Sequence, residues 1–374
     1  MTQKLKVRFK EPRSTGYEIL LQPGVLAQAD PILARRFPGH QPFVLSSPRI
    51  HGLYGKALEA SLRRAGFQAG ARHLCPDGEQ HKDFVQFQAA LEALAAFGHG
   101  LKAKPLALLL GGGVVGDLGG FAASCYRRGI PFVQVPTTLL SMLDSSVGGK
   151  LGVDLRTRSG VIKNLVGAFY QPSLVLVDPL LLRTLPAVEL RSGLAEALKT
   201  ALLFDPALFK KLETRSKSLL GLEPGLLSEL LRRCLAHKAR VVGADEFDRR
   251  GGRVLLNLGH TFGHAAESAS GFKLKHGQAV AFGLCCACDL SRRLGLARGS
   301  AAKGLGRVEA LVMKLGLPSR LSGPSLAKVM AALRQDKKFG TRMRFVLPLR
   351  IGRCKVVELK SEAMVREVLA ARLM

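Results

Sequence analysis

Ala107-Leu108-Leu109-Leu110-Gly111-Gly112-Gly113-Val114-Val115-Gly116-Asp117-Leu118-Gly119-Gly120 decides the fold. Residues 107–110 form a short apolar run that reads as a buried strand, and the glycine-rich stretch behind it leads into a helical pattern. GxGxxG therefore falls at a strand-to-helix turn. A backbone without side chains can approach a pyrophosphate there, and free N–H groups at the helix start can bind it. A tight packing turn would use the same glycines, but the flanks favour a cofactor. The loop is not in the first strand–helix unit and no acidic residue follows about 20 positions on, so it departs from the ordinary dinucleotide fingerprint.

Working outward, residues 43–45, 132–135 and 174–177 are further strand candidates, separated by amphipathic segments such as 84–97. This alternation predicts an α/β amino-terminal domain with a largely parallel sheet. Beyond Pro186 strand signals nearly vanish, and helices are expected at 187–204, 225–242, 261–270, 278–294 and 325–333. We expect a boundary near 185, giving a dinucleotide-binding domain over 1–185 and a mainly α-helical domain over 186–374. Residues 342–347 and 354–359 alternate like a hairpin around Pro348 and Gly352, before a last helix from about Ser361.

The 374 residues, 47% hydrophobic, suffice for two domains with their own cores. Against 28 Asp and Glu stand 56 Lys and Arg, a formal charge of +28, so a substrate or partner is expected to be anionic. The basic residues are scattered, aromatics make up 6%, and no helix-turn-helix, RRM or zinc-finger spacing occurs, which argues against specific nucleic-acid binding. The seven cysteines form no paired CxxC arms and read as reduced thiols. With neither a signal-like apolar start nor a run of about 18 apolar residues, a cytoplasmic protein without membrane contact is expected.

Three further stretches carry chemistry. Val135-Pro136-Thr137-Thr138 follows the next strand, where hydroxyls meet ligands at a sheet edge. Leu143-Asp144-Ser145-Ser146-Val147-Gly148-Gly149-Lys150, with Lys163-Asn164 after it, could hold a phosphorylated, hydroxylated ligand, although a solvated loop would look similar. In Leu256-Asn257-Leu258-Gly259-His260-Thr261-Phe262-Gly263-His264-Ala265-Ala266-Glu267, two imidazoles lie one helical turn apart, and His276 arrives 16 residues after His260. An ion held there wants a carboxylate, and Glu196 stands on an otherwise apolar helix with Lys199 on the same face. Physical reasoning alone does not choose three ligands from Glu196, His260, His264 and His276.

GGGVVGDLGGF, RGIPFVQVPTTLLSMLDSSVGGK, KNLVGAFYQP, SGLAEALK, LNLGHTFGH, HGQAVAFG and QDKKFG together resemble the 3-dehydroquinate synthases, a family of sugar phosphate cyclases, in family order from about residue 76 to 340. The resemblance implies an NAD site in the first domain, a metal site in the second, and an active site in the cleft between them. By position it implies zinc or cobalt on Glu196, His260 and His276, with His264 on the substrate side. Asp144, Lys150, Asn164, Lys199, Lys238, Arg253, Asn257 and one lysine of Lys337-Lys338 would surround the substrate, and Arg128 would reach it from a neighbouring subunit of a homodimer. The implied cofactor positions are Glu79, Lys82, Gly112, Gly113, Asp117, Thr137, Thr138, Asp144, Lys150, Lys163, Thr184 and Glu189.

The implied reaction converts 3-deoxy-D-arabino-heptulosonate 7-phosphate into 3-dehydroquinate and phosphate, a step of aromatic amino acid biosynthesis in the shikimate pathway. It runs through transient oxidation by NAD, phosphate elimination, re-reduction and aldol closure. An anionic substrate would account for the lysines and arginines of these motifs. The chain departs from the family at Ser46-Ser47, where an acidic or amide group usually meets the adenosine ribose. Two extra residues fall within Arg156-Thr157-Arg158, about one more lies between Asp248 and Arg253, and Asp248 replaces a usual Glu. Rival readings are a cyclase for neutral sugar phosphates, of the 2-epi-5-epi-valiolone or 2-deoxy-scyllo-inosose synthase type, and a metal-dependent polyol dehydrogenase. The Lys238–Arg253 pair favours a carboxylate-bearing substrate.

Overall fold

The computed structural model describes residues 16–158, 160–335 and 343–374. Its amino-terminal half comprises β1 (Glu18–Leu21), α1 (Ala29–Arg36), β2 (His40–Ser46), α2 (Pro48–Arg64), β3 (Arg72–Leu74), α3 (Phe84–Gly98), β4 (Lys104–Gly111), α4 (Gly113–Cys125), β5 (Phe132–Pro136), β6 (Lys150–Thr157), β7 (Gly160–Phe169) and β8 (Leu174–Val177). Helices follow: α5 (Ala187–Phe204), α6 (Pro206–Thr214), α7 (Ser216–Leu220), α8 (Pro224–Ala244), α9 (His260–Ala269), α10 (His276–Arg293), α11 (Gly299–Lys314) and α12 (Leu326–Gln335). A hairpin of β9 (Met343–Arg350) and β10 (Arg353–Leu359) and a final α13 (Ala363–Ala370) complete the chain.

Six strands form one parallel sheet in the order β1-β8-β5-β4-β2-β3. β4 is central because its alternate side chains are apolar on both faces: Leu106, Leu108 and Leu110 enter one core, Ala107 and Leu109 the other. Burying each leucine contributes about 1.5–3 kcal/mol. From β2 the chain moves outward to β3, then crosses back to β4 on the other side of β2. The carboxyl ends of β2 and β4 therefore flank a topological switch point, where open parallel sheets bind ligands. The expected glycine turn opens there.

The first core continues from the sheet into the helical half, through Leu108, Leu176, Leu194, Leu202, Phe282 and Val308. Helices α5, α8, α9, α10 and α12 lie within two residues of the expected boundaries. β1 and β3, of four and three residues, went unread because so short a run carries little periodicity. The β6–β7 hairpin escaped for a different reason: β7 is largely exposed and holds Lys163 and Asn164 among its apolar residues. Arg156 and Thr157, in the stretch that carries the extra residues, pair with Val161 and Gly160 near its tip. Pro348 lies inside β9 rather than in the turn; it faces Cys354 where the register shifts, a place that tolerates a residue without N–H. Among the described residues no helix is long and apolar enough to cross a membrane.

Candidate functional site

Helix α4 begins at the switch point with Gly112 as its N-cap and no side-chain cap, which leaves its first N–H groups available to an anion. The glycines have separate steric reasons. A Cβ on Gly112 would come within 3.1 Å of Thr138 Cγ2, one on Gly113 within 3.3 Å of Ser145 Oγ, and one on Gly119 within 2.7 Å of Leu109 Cδ2. The first two keep a cradle clear, and the third seats the helix on the sheet. The Thr137 hydroxyl, buried beside this turn, has no hydrogen-bond partner among the described residues. These features fit a dinucleotide pyrophosphate. Gly112→Val should fill the cradle and weaken NAD binding by about 10-fold or more while the fold persists, measurable by cofactor titration against the thermal midpoint.

On the helical side, α5 is buried on nearly every face and carries Glu196, which is 1% exposed. Helices α9 and α10 deliver His260 and His276 as their first residues. Gly277 lets α10 press on α5: its N–H donates to Ser192 Oγ at 2.9 Å, and a Cβ there would collide with Ser192 Cα. Nε2 of His276 and of His260 lie 3.0 and 3.4 Å from Glu196 Oε1.

His260 Nδ1 is 3.2 Å from the Leu258 carbonyl, which can only accept, so the ring proton belongs on Nδ1. Burial, reinforced by Lys199, holds His260 down to about 3, so at neutral pH its Nε2 presents a lone pair to a carboxylate oxygen. Two lone pairs facing one another call for a cation between them. A carboxylate with two imidazoles, one oriented by a backbone carbonyl, fits a divalent ion with open coordination positions. His264 forms a second group with Glu267 and the shared His276, ligand atoms lying within 4.8 Å of one another.

A chain of charges links the two halves of the site. Lys199 Nζ lies 2.5 Å from Glu196 Oε2 and 3.9 Å from Asp144 Oδ1, and Lys238 Nζ lies 2.6 Å from the same Asp144 oxygen. Burial would raise Glu196, but Lys199 and the two imidazoles outweigh it and hold the carboxyl well below its usual range. Asp144 is likewise held down against burial by Lys199 and Lys238. Lys199 stays above the ordinary lysine value because Asp144 and Glu196 overcome its burial; at Lys238 burial wins and lowers it.

The other predicted lysines are also paired. Lys82 meets Asp117 and Asn164 Oδ1, each at 2.5 Å; Lys150 meets Asp248 at 2.6 Å; Lys163 meets Glu267 at 2.8 Å and Glu79 at 3.5 Å. Each of these lysines thus arrives with a carboxylate. A divalent ion would supply the net positive charge.

The remaining expected positions fall as follows. Arg253 is buried, donating to the carbonyls of Gly148 (3.1 Å) and Glu246 (2.9 Å). Glu189 pairs with Lys275 at 3.0 Å, tying α5 to the residue before His276, and Thr184 meets the Tyr54 hydroxyl. Ser46 bridges the switch point to the Leu110 carbonyl at 2.7 Å, and Ser47 caps α2. Asn257 is exposed at the end of a short 3-10 turn two residues before Gly259, the N-cap of α9. Arg128 is exposed on left-handed backbone (φ 63°) past the far end of α4. Lys337 and Lys338 lie outside the described residues.

Sequence reasoning assigned no role to Glu267 and did not single Ser145 out of its stretch. Glu267 shares the His260 and His264 face at i+7 and i+3 and is 5% exposed, the pattern that singled out Glu196. Ser145 Oγ borders Gly113 while its neighbour Asp144 reaches Lys199, so adjacent residues touch the glycine turn and the metal helix. No local signal in the sequence announces that.

Two family models match in succession: the 3-dehydroquinate synthase N-terminal model over residues 72–192 and the C-terminal model over residues 193–339. A 3-dehydroquinate synthase of Picosynechococcus sp. strain PCC 7002 is 40% identical over 363 residues, 96% of each chain, and one of Nostoc punctiforme is 40% identical over 375 residues, 99% of each. A solved structure of 2-epi-5-epi-valiolone synthase from Streptomyces hygroscopicus subsp. jinggangensis 5008, with NAD+ and Zn2+ bound, is 32% identical. Its TM-score is 0.85, and the match covers 98% of this chain and 99% of that one. Matched by both models in succession, and by relatives of its own length, the chain belongs to the 3-dehydroquinate synthase family.

Proposed function

We propose that the protein converts 3-deoxy-D-arabino-heptulosonate 7-phosphate to 3-dehydroquinate and phosphate, as a lyase dependent on NAD and a divalent ion. NAD held at the glycine turn supplies a transient oxidation and its reversal, and zinc or cobalt on Glu196, His260 and His276 supplies a Lewis acid at the oxidised hydroxyl. The observation that carries this reading is the continuity from Gly113 through Ser145 and Asp144 to Lys199 and Glu196, because cofactor and ion then lie at one site.

The chain's own residues bind and orient. Lys199 and Lys238 balance Asp144 and Glu196, so an ion adds two positive charges that a carboxylate and a phosphate on the substrate can answer. Lys150, more exposed than Lys82, Lys163, Lys199 or Lys238, exchanges Asp248 for a phosphate, with Asn164, Asn257 and His264 around it. Arg253 stands ready for the carboxylate beside Lys238. Glu79, Lys82, Asp117, Thr137, Thr138, Lys163, Thr184 and Glu189 form the cofactor side. Arg128, exposed about 20 Å along α4 from the glycine turn, serves the neighbouring subunit of a homodimer.

Phosphate release should be assayed with heptulosonate 7-phosphate, sedoheptulose 7-phosphate and glucose 6-phosphate, with NAD and zinc present. Release from the first, without net NADH absorbance, is expected. Turnover of a neutral sugar phosphate alone, or steady accumulation of NADH, would refute the reading in favour of another cyclase or a dehydrogenase.

A further inference from the structure

We propose that Tyr17 is a positioning residue for Lys150: its hydroxyl and the Arg253 guanidinium hold the two backbone polar groups of Gly148 and so aim the lysine two residues on. The inference rests on the reading that Lys150 faces the substrate.

Tyr17 lies far upstream of the matched family segments, directly before β1, and the pairing of β1 with β8 brings it to the Gly148 turn. The Gly148 N–H donates to the Tyr17 hydroxyl at 3.0 Å, and the Gly148 carbonyl accepts from Arg253 Nη1 at 3.1 Å. Arg253 is itself held by the Glu246 carbonyl at 2.9 Å.

The turn needs such a clamp. Gly148 and Gly149 have φ of 108° and 60°, conformations available to glycine with little bias toward one well, so nothing intrinsic to these residues fixes the peptide. Both are buried, and a Cβ on Gly148 would lie 2.6 Å from Arg253 Nη2. The Gly149 carbonyl accepts from the Tyr170 N–H at 3.0 Å and Lys150 pairs with Phe169 at the start of β6, so the Gly148 peptide is where the turn enters that ladder; Lys150 Nζ sits 2.6 Å from Asp248 and 5.8 Å from the centre of the Phe169 ring. The same ring lies 5.7 Å from the Arg253 guanidinium, so lysine and clamp share one platform. Burial raises the Tyr17 pKa, which keeps the phenol neutral at working pH.

Removing the hydroxyl leaves the Gly148 N–H without its acceptor and frees the turn, at the cost of one hydrogen bond. The test compares Tyr17→Phe, Lys150→Ala and the double variant as holoenzyme with NAD and zinc, by steady-state phosphate release and thermal midpoint. Tyr17→Phe should lower kcat/KM about 5- to 20-fold, chiefly through KM, with the midpoint nearly unmoved. In the Lys150→Ala background it should cost nothing more. Parental kinetics in Tyr17→Phe, or losses that multiply in the double variant, would overturn the proposal. If Lys150→Ala itself keeps parental kinetics, the placement of Lys150 fails and this inference with it. A silent Tyr17→Phe beside an impaired Lys150→Ala removes the inference alone.

Discussion

Replacing Glu196 by Gln is expected to cost the protein its divalent ion and, with it, at least about 100-fold in phosphate release. The amide keeps the shape of the side chain but removes the one anion that faces both His260 Nε2 and His276 Nε2. Neutral imidazoles with a neutral amide do not compensate a doubly charged cation in a buried site. Lys199 then retains only Asp144, 3.9 Å away, as its anionic neighbour in the charge chain. Metal content after dialysis, read beside phosphate release, checks the prediction. An ion retained stoichiometrically by Glu196→Gln, with undiminished turnover, would show that the trio is not the metal seat.

The second large effect is expected from Asp144→Ala. Two ammonium groups converge on this carboxylate, the fully buried one of Lys199 and the half-buried one of Lys238, which burial already pushes below the ordinary lysine value. Removing the carboxylate leaves Lys238 without its anion while Lys199 keeps Glu196, which costs about 1.5–3 kcal/mol at neutral pH and would show as a lower urea midpoint. The pH dependence has a definite sign. Because the folded protein holds Asp144 below its ordinary value of 3.8, the stabilisation is complete above that value and disappears as pH falls through the lower folded value. The gap between parent and variant should therefore be constant from pH 7 to about 5 and close on further acidification. A gap that widened in acid would contradict this account of Asp144.

The elements that position the chemistry were legible where burial and periodicity coincide. β4 is apolar on both faces, α5 and α10 are buried on most sides, and the glycine turn between β4 and α4 is read directly from residue type. The metal trio was half legible. The imidazole spacing pointed to His260, His264 and His276 together, and only the packing of α10 on α5 through Gly277 distinguishes the pair that meets Glu196. What remained hidden depends on neighbours distant in the chain. Glu267 and Asp248 meet their lysines across 104 and 98 residues, and Tyr17 meets Gly148 across 131. No local window contains both members of such a pair. Composition registers the lysines of these motifs and not the carboxylates that fold against them.

Zinc and NAD are the two groups whose meeting the whole mechanism requires, and anomalous diffraction from crystals grown with both locates them at once. The predicted result is a zinc peak bonded to Glu196, His260 Nε2 and His276 Nε2, with the pyrophosphate on Gly112 and Gly113 and the nicotinamide ring turned toward the ion across Asp144 and Lys199. A zinc peak elsewhere, or a nicotinamide ring directed away from it, would contradict the account.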